Sequence, residues 1–285
     1  MTGKNFNLDS EQITGIINCA LNEDTGTGDI TTNAVIDNHA KTKAVWVSKQ
    51  KGVISGLTVA EKVFRRLDRN IQWIPAFKDG DAVDKGDVLV NFEGLCRAVL
   101  TAERVALNFA QRMAGIATQT RKMVKELEGF STQILDTRKT APGLRMLDKY
   151  AVASGGGINH RMGLYDLAMI KDNHIVAAGS ISKAVERVKD LNPDVKIEVE
   201  TTSMQQIDEA LQAGADIIML DNMSITLMKQ AVQRIGGRAG TEASGNITIN
   251  NIRKAAETGV DFISVGALTH SVEAFDISQQ IEDIF

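Results

Sequence analysis

Between Asp136 and Ile175 the chain gathers Arg138, Lys139, Arg145, Lys149, His160, Arg161, Lys171 and His174 around a triple glycine, Gly155 to Gly157. Over its 285 residues the protein carries a formal net charge of -4, so this excess of cations is local. Guanidinium and ammonium groups held near one another repel unless phosphate or carboxylate oxygens neutralise them. The chemistry to expect is capture of a small, multiply charged anion, with the ligand helping to hold the site together.

Further along, Glu200 and Asp221 offer hard carboxylate oxygens, suited to Mg²⁺ bound jointly with phosphates or to hydrogen bonds from a sugar diol. Work as a general acid/base pair, or as counter-ions to Lys171 and Arg161, is equally open at this point. Ser244-Gly245-Asn246 and Val265-Gly266-Ala267 are glycine-bearing turns, and glycine lets a backbone approach phosphate oxygens closely. No Ser/His/Asp order, zinc spacing or dinucleotide fingerprint competes for the site, and the triple glycine is not a Gly-x-Gly-x-x-Gly motif.

These groups must be positioned by regular elements, and the apolar pattern supplies them. Residues 9 to 22 form a helix with Asp9 or Ser10 as cap and Ile13, Ile16, Ile17, Ala20 and Leu21 on one face. A glycine-punctuated loop, Asp24 to Thr32, follows. Strands are expected at 43–48, 53–55, 71–77 and 88–92 around a helix at 57–67, an α+β unit. A long helical region, 97–127, leads out of it.

After that the chain alternates. Strands at 133–136, 167–171, 195–200, 216–221, 238–244 and 262–266 are separated by helical stretches at 180–191, 204–213, 225–235 and 248–258. Short apolar strands covered on both sides, at twenty-odd residues per unit, suggest a parallel α/β barrel with fewer than the usual eight strands. Each strand ends in a polar or glycine-rich signature: Arg138-Lys139, Lys171, Glu200, Asp221, Ser244 to Asn246, Val265 to Ala267. In such barrels the C-terminal strand ends carry the active site, so residues far apart in sequence should share one rim. The expected domains are 1–115, α+β, and 116–285, the barrel, with the final residues packing back on the first domain.

The acidic balance excludes a general nucleic-acid surface. No apolar run approaches the roughly 18 residues that span a bilayer, and the first ten residues lack a signal peptide's apolar core. A cytoplasmic location is the expectation. Cys19 and Cys96 fit neither a metal-ligand nor a disulfide spacing and are expected to be reduced and buried.

In these same residues the chain resembles the quinolinate phosphoribosyltransferases, also called nicotinate-nucleotide pyrophosphorylases, over nearly its whole length. The resemblance rests on Glu23-Asp24 with Gly28 to Thr31, Glu103-Arg104 to Asn108, Asp136 to Arg145, Gly155-Gly-Gly157 with Asn159-His160-Arg161, Lys171 to His174, Glu198-Val-Glu200, Leu220-Asp221-Asn222, Glu242 to Thr248 and Ser264 to Ser271. After Glu200 the chain reads Thr201-Thr202-Ser203, where family members often carry another acidic residue.

The resemblance implies an N-terminal α/β domain, an incomplete α/β barrel, and a homodimer whose active site joins one subunit's barrel to the other's first domain. It implies that Arg104, reaching in from the neighbouring chain, grips the two carboxylates of quinolinate together with Arg138, Lys139, His160 and Arg161, with Thr137 also contacting substrate. Lys171, Glu200 and Asp221 would face the ribose and the Mg²⁺-bound pyrophosphate of phosphoribosyl pyrophosphate, with Glu200 and Asp221 as the metal-facing pair. Ser244, Gly245, Asn246, Val265, Gly266 and Ala267 would hold the 5-phosphate. Lys139, Lys171, Glu200 and Asp221 are the expected catalytic set. The implied reaction is phosphoribosyl transfer to quinolinate with loss of CO₂, in NAD biosynthesis. Alternatives are a relative with another pyridine acceptor, a phosphate-binding barrel lyase using Lys171 or Lys139 as a Schiff base, and a non-catalytic binding module.

Overall fold

A computed structural model describes residues 6–285. Residues 1–5, half of the stretch read for a leader, lie outside the described residues. The described chain folds into two compact units. One runs to Arg121 and adds Ala141–Gly156 and Ser271–Phe285; the other comprises Lys122–Thr140 and Gly157–His270.

In the first unit, α1 (Glu11–Thr25) begins where the Ser10 hydroxyl accepts a hydrogen bond from Ile13 N–H, and it buries Ile13, Ile17 and Leu21. Cys19 lies two residues beyond Ile17, about 200° around the helix, and is exposed, whereas Cys96 is buried as expected. The loop expected from Asp24 to Thr32 gives way to a short helix, α2 (Ile30–Val35). Its cause is a cap: the Asp29 carboxylate accepts from Thr32 N–H at 2.9 Å, satisfying a donor that a loop would leave to water.

Next come β1 (Lys41–Ser48), β2 (Gly52–Val53), α3 (Leu57–Leu67), β3 (Gln72–Pro75), β4 (Ala82–Val83), β5 (Val88–Leu95) and the long α4 (Cys96–Glu126). α4 passes residue 115 unbroken. Trp46, Phe64, Trp73 and Phe92 meet with ring centroids 5.0 to 6.5 Å apart, forming the aromatic core of this unit.

The chain continues with β6 (Gln133–Leu135), α5 (Arg145–Ser154), β7 (Ala168–Ile170), α6 (Asp172–Ala178), α7 (Ile181–Leu191), β8 (Ile197–Thr201), α8 (Met204–Ala213), β9 (Ile217–Asp221), α9 (Ile225–Ile235), β10 (Gly240–Ser244), α10 (Ile252–Ala256), β11 (Phe262–Ser264), α11 (Ala267–His270) and β12 (Ile277–Ile284). β12 belongs to the first unit, whose four-stranded sheet has the order β12-β1-β5-β3. It pairs antiparallel with β1 from Thr42↔Ile284 to Ser48↔Ile277.

α5 also belongs to the first unit, and the triple glycine ends it. A Cβ on Gly155 would stand 2.6 Å from the Ala117 carbonyl oxygen and from Thr120 Cβ, so this glycine lets α5 press against α4.

In the second unit all six expected strands are present and parallel, in the order β6-β11-β10-β9-β8-β7. A further parallel bridge, Leu135↔Ile158, lies beyond β6. Six strands with intervening helices make the expected incomplete α/β barrel. α8 and α9 match their expected spans. The helix expected at 248–258 is shortened because Asn251 Oδ1 accepts from Thr248 N–H at 2.7 Å, closing a turn first. β10 starts at Gly240 and not at 238, since the Arg238 guanidinium folds back on the Ile235 and Arg234 carbonyls. Among the described residues no helix is long and apolar enough to cross a membrane.

Candidate active site

Parallel strands present alternate residues to one face, so positions two apart share a side. Register then aligns them across the second unit: Met169 stands beside Glu198, Glu200 beside Met219, Met219 beside Glu242, and Asp221 beside Ser244. All of these except Glu198, together with Thr137, Arg138, Lys139, His160, Arg161, Lys171 and Ser264, line a cavity of about 410 Å³.

At the rim, Lys171 Nζ lies 2.6 Å from Glu200 Oε2, with side chains 44% and 17% exposed. The Lys171 N–H donates to His174 Nδ1 at 3.0 Å as α6 begins. Asp221 Oδ2 accepts from the Asn222 amide at 2.9 Å. Asn222 in turn accepts from Asn246 through its side chain, while its backbone N–H donates to the Ser244 carbonyl. Gly245 sits at φ 93°, and a Cβ there would overlap the Asn222 side chain. At the other turn, a Cβ on Gly266 would stand 3.1 Å from Lys139 Cδ, so backbone and lysine stem meet there.

The floor is charged and buried. His160, 3% exposed, places Nε2 3.0 Å from Glu198 Oε2 and 3.4 Å from Glu242 Oε2, both glutamates being fully buried. Its Nδ1 accepts from Arg161 N–H at 2.7 Å, and its own N–H donates to Asp136 Oδ1 at 2.9 Å. Asp136 Oδ2 also takes the Asn159 amide. Burial opposes charge on the His160 ring, but its contacts with Glu198 and Glu242 outweigh that and hold its pKa above the ordinary value. Burial, then the neighbouring Glu242, raises the Glu198 carboxyl. Because Nδ1 accepts, the ring's own proton lies on Nε2, toward the two carboxylates.

Arg161 is half-buried. Its guanidinium donates to the Leu167 carbonyl at 3.1 Å and approaches Met169 Sδ at 3.7 Å. Burial and then Arg138 depress its pKa, while Glu198 and Asp166 act in the opposite sense.

Of the cation cluster read from sequence, Arg138, Lys139, His160, Arg161 and Lys171 line the cavity. His174 caps α6 beside it. Arg145 and the fully buried Lys149 lie on α5 in the other unit, as does the exposed Arg104 on α4. Of the triple glycine, Gly155 packs α5 against α4. Three His or carboxylate groups that could share a metal are also present, but they are His160, Glu198 and Glu242, with ligand atoms within 4.8 Å of one another.

Residues 29–114 match the family model of the quinolinate phosphoribosyl transferase N-terminal domain, and residues 116–280 match that of its C-terminal domain. The chain belongs to the quinolinate phosphoribosyl transferase family. It is 44% identical to a probable nicotinate-nucleotide pyrophosphorylase [carboxylating] of Bacillus subtilis, covering 95% of this chain and 93% of that protein. It is 45% identical to the chloroplastic nicotinate-nucleotide pyrophosphorylase [carboxylating] of Arabidopsis thaliana, covering 94% and 82% respectively. The solved nicotinate-nucleotide pyrophosphorylase from Francisella tularensis superposes with a TM-score of 0.95 at 41% identity, over 99% of this chain and 100% of that one.

For this member of the quinolinate phosphoribosyl transferase family, reading strand ends missed Met169, Met219, Glu242 and Ser264 at the cavity, and Glu198 beneath it. The signal was available as the period of two: Met169/Lys171, Glu198/Glu200, Met219/Asp221 and Glu242/Ser244 are each a rim residue and the residue one pleat below it.

Proposed function

We propose that this chain transfers the phosphoribosyl group of phosphoribosyl pyrophosphate to quinolinate, releasing pyrophosphate and CO₂ and forming nicotinate mononucleotide. The observation that carries the reading is the single cavity in which Arg138, Lys139, Arg161 and Lys171 face Glu200 and Asp221, in a chain of this family. A planar dicarboxylate fits the cationic side, with Met169 and Met219 offering apolar contact to its ring.

The pyridine nitrogen attacks C1 of the ribose as the C1–oxygen bond to pyrophosphate breaks, through a transition state that carries positive charge on the sugar. Glu200 and Asp221 lie on neighbouring strands where that charge develops, and Lys171 meets the departing oxygens. Each such contact is worth roughly 2 to 4 kcal/mol of barrier. Loss of CO₂ then leaves an electron pair on the ring carbon, which takes up a proton. Ser244 to Asn246 and the Gly266–Ala267 end of the last turn hold the 5-phosphate through backbone N–H groups that glycine leaves open, the Val265 N–H being committed to the Leu135 carbonyl.

The partly exposed carboxylates Glu200 and Asp221 are hard-oxygen donors and fit Mg²⁺ shared with a pyrophosphate. Bound there, the ion would neutralise the leaving group. A Schiff-base lyase gains no support from Lys171, whose Nζ is paired with Glu200.

As part of the same proposal, two copies share sites, Arg104 of one serving the cavity of the other, and the reaction runs in the cytoplasm. The exposure of Arg104 on α4 supports the first point; cell fractionation tests the second. The direct test is quinolinate plus phosphoribosyl pyrophosphate with Mg²⁺, following CO₂. One CO₂ per pyrophosphate is expected, and nicotinate should be a poor acceptor because it leaves a half-buried guanidinium without the second carboxylate. Turnover of nicotinate at equal efficiency, or none of quinolinate, would sink the reading. An Arg104→Ala chain mixed with an Arg138→Ala chain should recover activity that neither has alone. No recovery under demonstrated subunit exchange would refute the shared site.

A further inference from the structure

Lys171 has Glu200 beside it, but the Arg138 and Arg161 guanidinium groups repel one another at a cavity suited to an anion, which poses the question of what holds them there before a ligand binds. A dicarboxylate substrate would neutralise them, but only after it has bound. The residues at the cavity floor, Glu242 lining it and Glu198 beneath, offer a standing answer. Glu198 and Glu242 are fully buried, and among the described residues the side chain at ion-pair distance from both carboxylates is the His160 ring. Burying two carboxylates is costly unless their charge is used.

The chain of contacts upward from them is short. Glu198 and Glu242 stand at ion-pair distance from Nε2 of His160, 3.0 and 3.4 Å; the backbone N–H of His160 donates to Asp136; Nδ1 on the far side of the ring receives the N–H of Arg161. Both ring nitrogens are thereby engaged within the protein, so His160 meets the cavity with the rest of its ring. The next residue, Arg161, is the one whose guanidinium is fixed by the Leu167 carbonyl. Glu198 also favours the charge on Arg161 directly, against the repulsion from Arg138.

We infer that Glu198 and Glu242 are positioning residues of the quinolinate pocket: a built-in carboxylate pair that holds His160, and through it Arg161, in the binding arrangement before any anion arrives. This rests on the functional reading above and adds two residues to it. It also replaces the expectation that the ligand holds the site together. Preorganisation of this kind improves affinity by removing the ordering and repulsion that binding would otherwise have to overcome.

The test exploits a sign. By field alone, removing a negative charge beneath an anion site should tighten binding of a dianion. Positioning demands the reverse. Calorimetry of quinolinate without phosphoribosyl pyrophosphate should show Glu242→Gln and Glu198→Gln each weakening binding by about tenfold or more. KM for phosphoribosyl pyrophosphate should stay within about twofold, because a merely structural lesion would raise both. In a double-mutant cycle, Glu242→Gln should add little to Arg161→Ala, since it acts through that residue. Tighter or unchanged quinolinate binding overturns the proposal, and so does stoichiometric metal in the purified wild-type protein, which would make the trio a ligand set.

If a Gln variant fails to fold, Glu242→Asp keeps the charge on a shorter arm and should show the same selective loss in weaker form; equal loss for both substrates would overturn the idea. A ligand-free crystal structure separates this inference from the functional one. The Arg161 contact to the Leu167 carbonyl should persist in wild type and be lost in the Gln variants, whichever anion the pocket takes. Should wild type bind no quinolinate while that contact behaves as stated, the functional reading fails and the positioning role survives.

Discussion

Glu200 and Glu198 stand two residues apart on β8, pointing to the same side of one sheet, yet they belong to different worlds. Glu200 is 17% exposed and paired with a lysine that is itself 44% exposed; Glu198 is fully buried and paired with a histidine at 3%. β10 repeats the pattern with Ser244 at the rim and Glu242 below it. Charge within reach of water can exchange partners as a ligand enters, because solvent covers the intermediate states. Charge one pleat deeper cannot, and its pairing is fixed when the chain folds. The rim is therefore suited to transient chemistry and the floor to holding geometry.

The sharpest way to break this division is to exchange the expected consequences. His160→Leu strips the floor carboxylates of their partner, and breaking a buried pair from one side costs about 3–5 kcal/mol. The melting temperature should fall by many degrees, and quinolinate binding with it. At the rim, Glu200→Gln should lower kcat by about 10²–10³ while moving stability by no more than about 1 kcal/mol, as surface pairs do. A large stability loss at Glu200, or a negligible one at His160, would erase the distinction.

pH sharpens the contrast further. Against burial, contacts with Glu198 and Glu242 push the His160 ring up to about 10 from an ordinary 6.5. Since Nδ1 accepts from Arg161 N–H, the proton that the fold retains and the unfolded chain releases lies on the Nε2 side, toward the carboxylates. Stability from this source is complete below about pH 6.5 and is lost as pH rises toward 10. The raised Glu198 carboxyl acts in the same sense at lower pH. The difference in melting temperature between wild type and His160→Asn should accordingly shrink from pH 7 to pH 10. A gap that widens would place the charge elsewhere.

The rim was legible in the sequence because strand ends announce themselves: an apolar run stops and a polar signature follows, and five of the six signatures reach the cavity, with Ser264 there in place of Val265 to Ala267. The floor was not, since Glu198 and Glu242 interrupt runs that otherwise look like plain buried strands, and only pairing register shows that they converge beneath His160. α2, too, was hidden behind glycines, because one Asp29 cap outweighed the local turn chemistry. Cys19 was misplaced for the opposite reason: its residue type suggests burial, while its position on α1 faces it outward. Arg145 and Lys149 were grouped with the anion site by nearness in sequence, yet α5 carries them into the other compact unit. In each case spacing within one element was readable and the pairing between elements was not.

The smallest expected effect lies at the Gly245 turn, where two physical causes can be told apart. Gly245 adopts φ 93°, and its Cα faces the Asn222 side chain, which Asn246 also holds. Gly245→Ala therefore meets both a strained backbone and a collision; the backbone share is about 1 kcal/mol. Asn222→Gly relieves the collision but leaves the strain. The double variant should consequently regain part of the stability lost by Gly245→Ala, short of full recovery. Affinity for phosphoribosyl pyrophosphate should fall in Gly245→Ala while that for quinolinate stays, the mirror image of the floor variants. Full recovery in the double variant would show that contact with Asn222 alone demands glycine there, and a matching loss of quinolinate affinity would mean that rim and floor act as one unit.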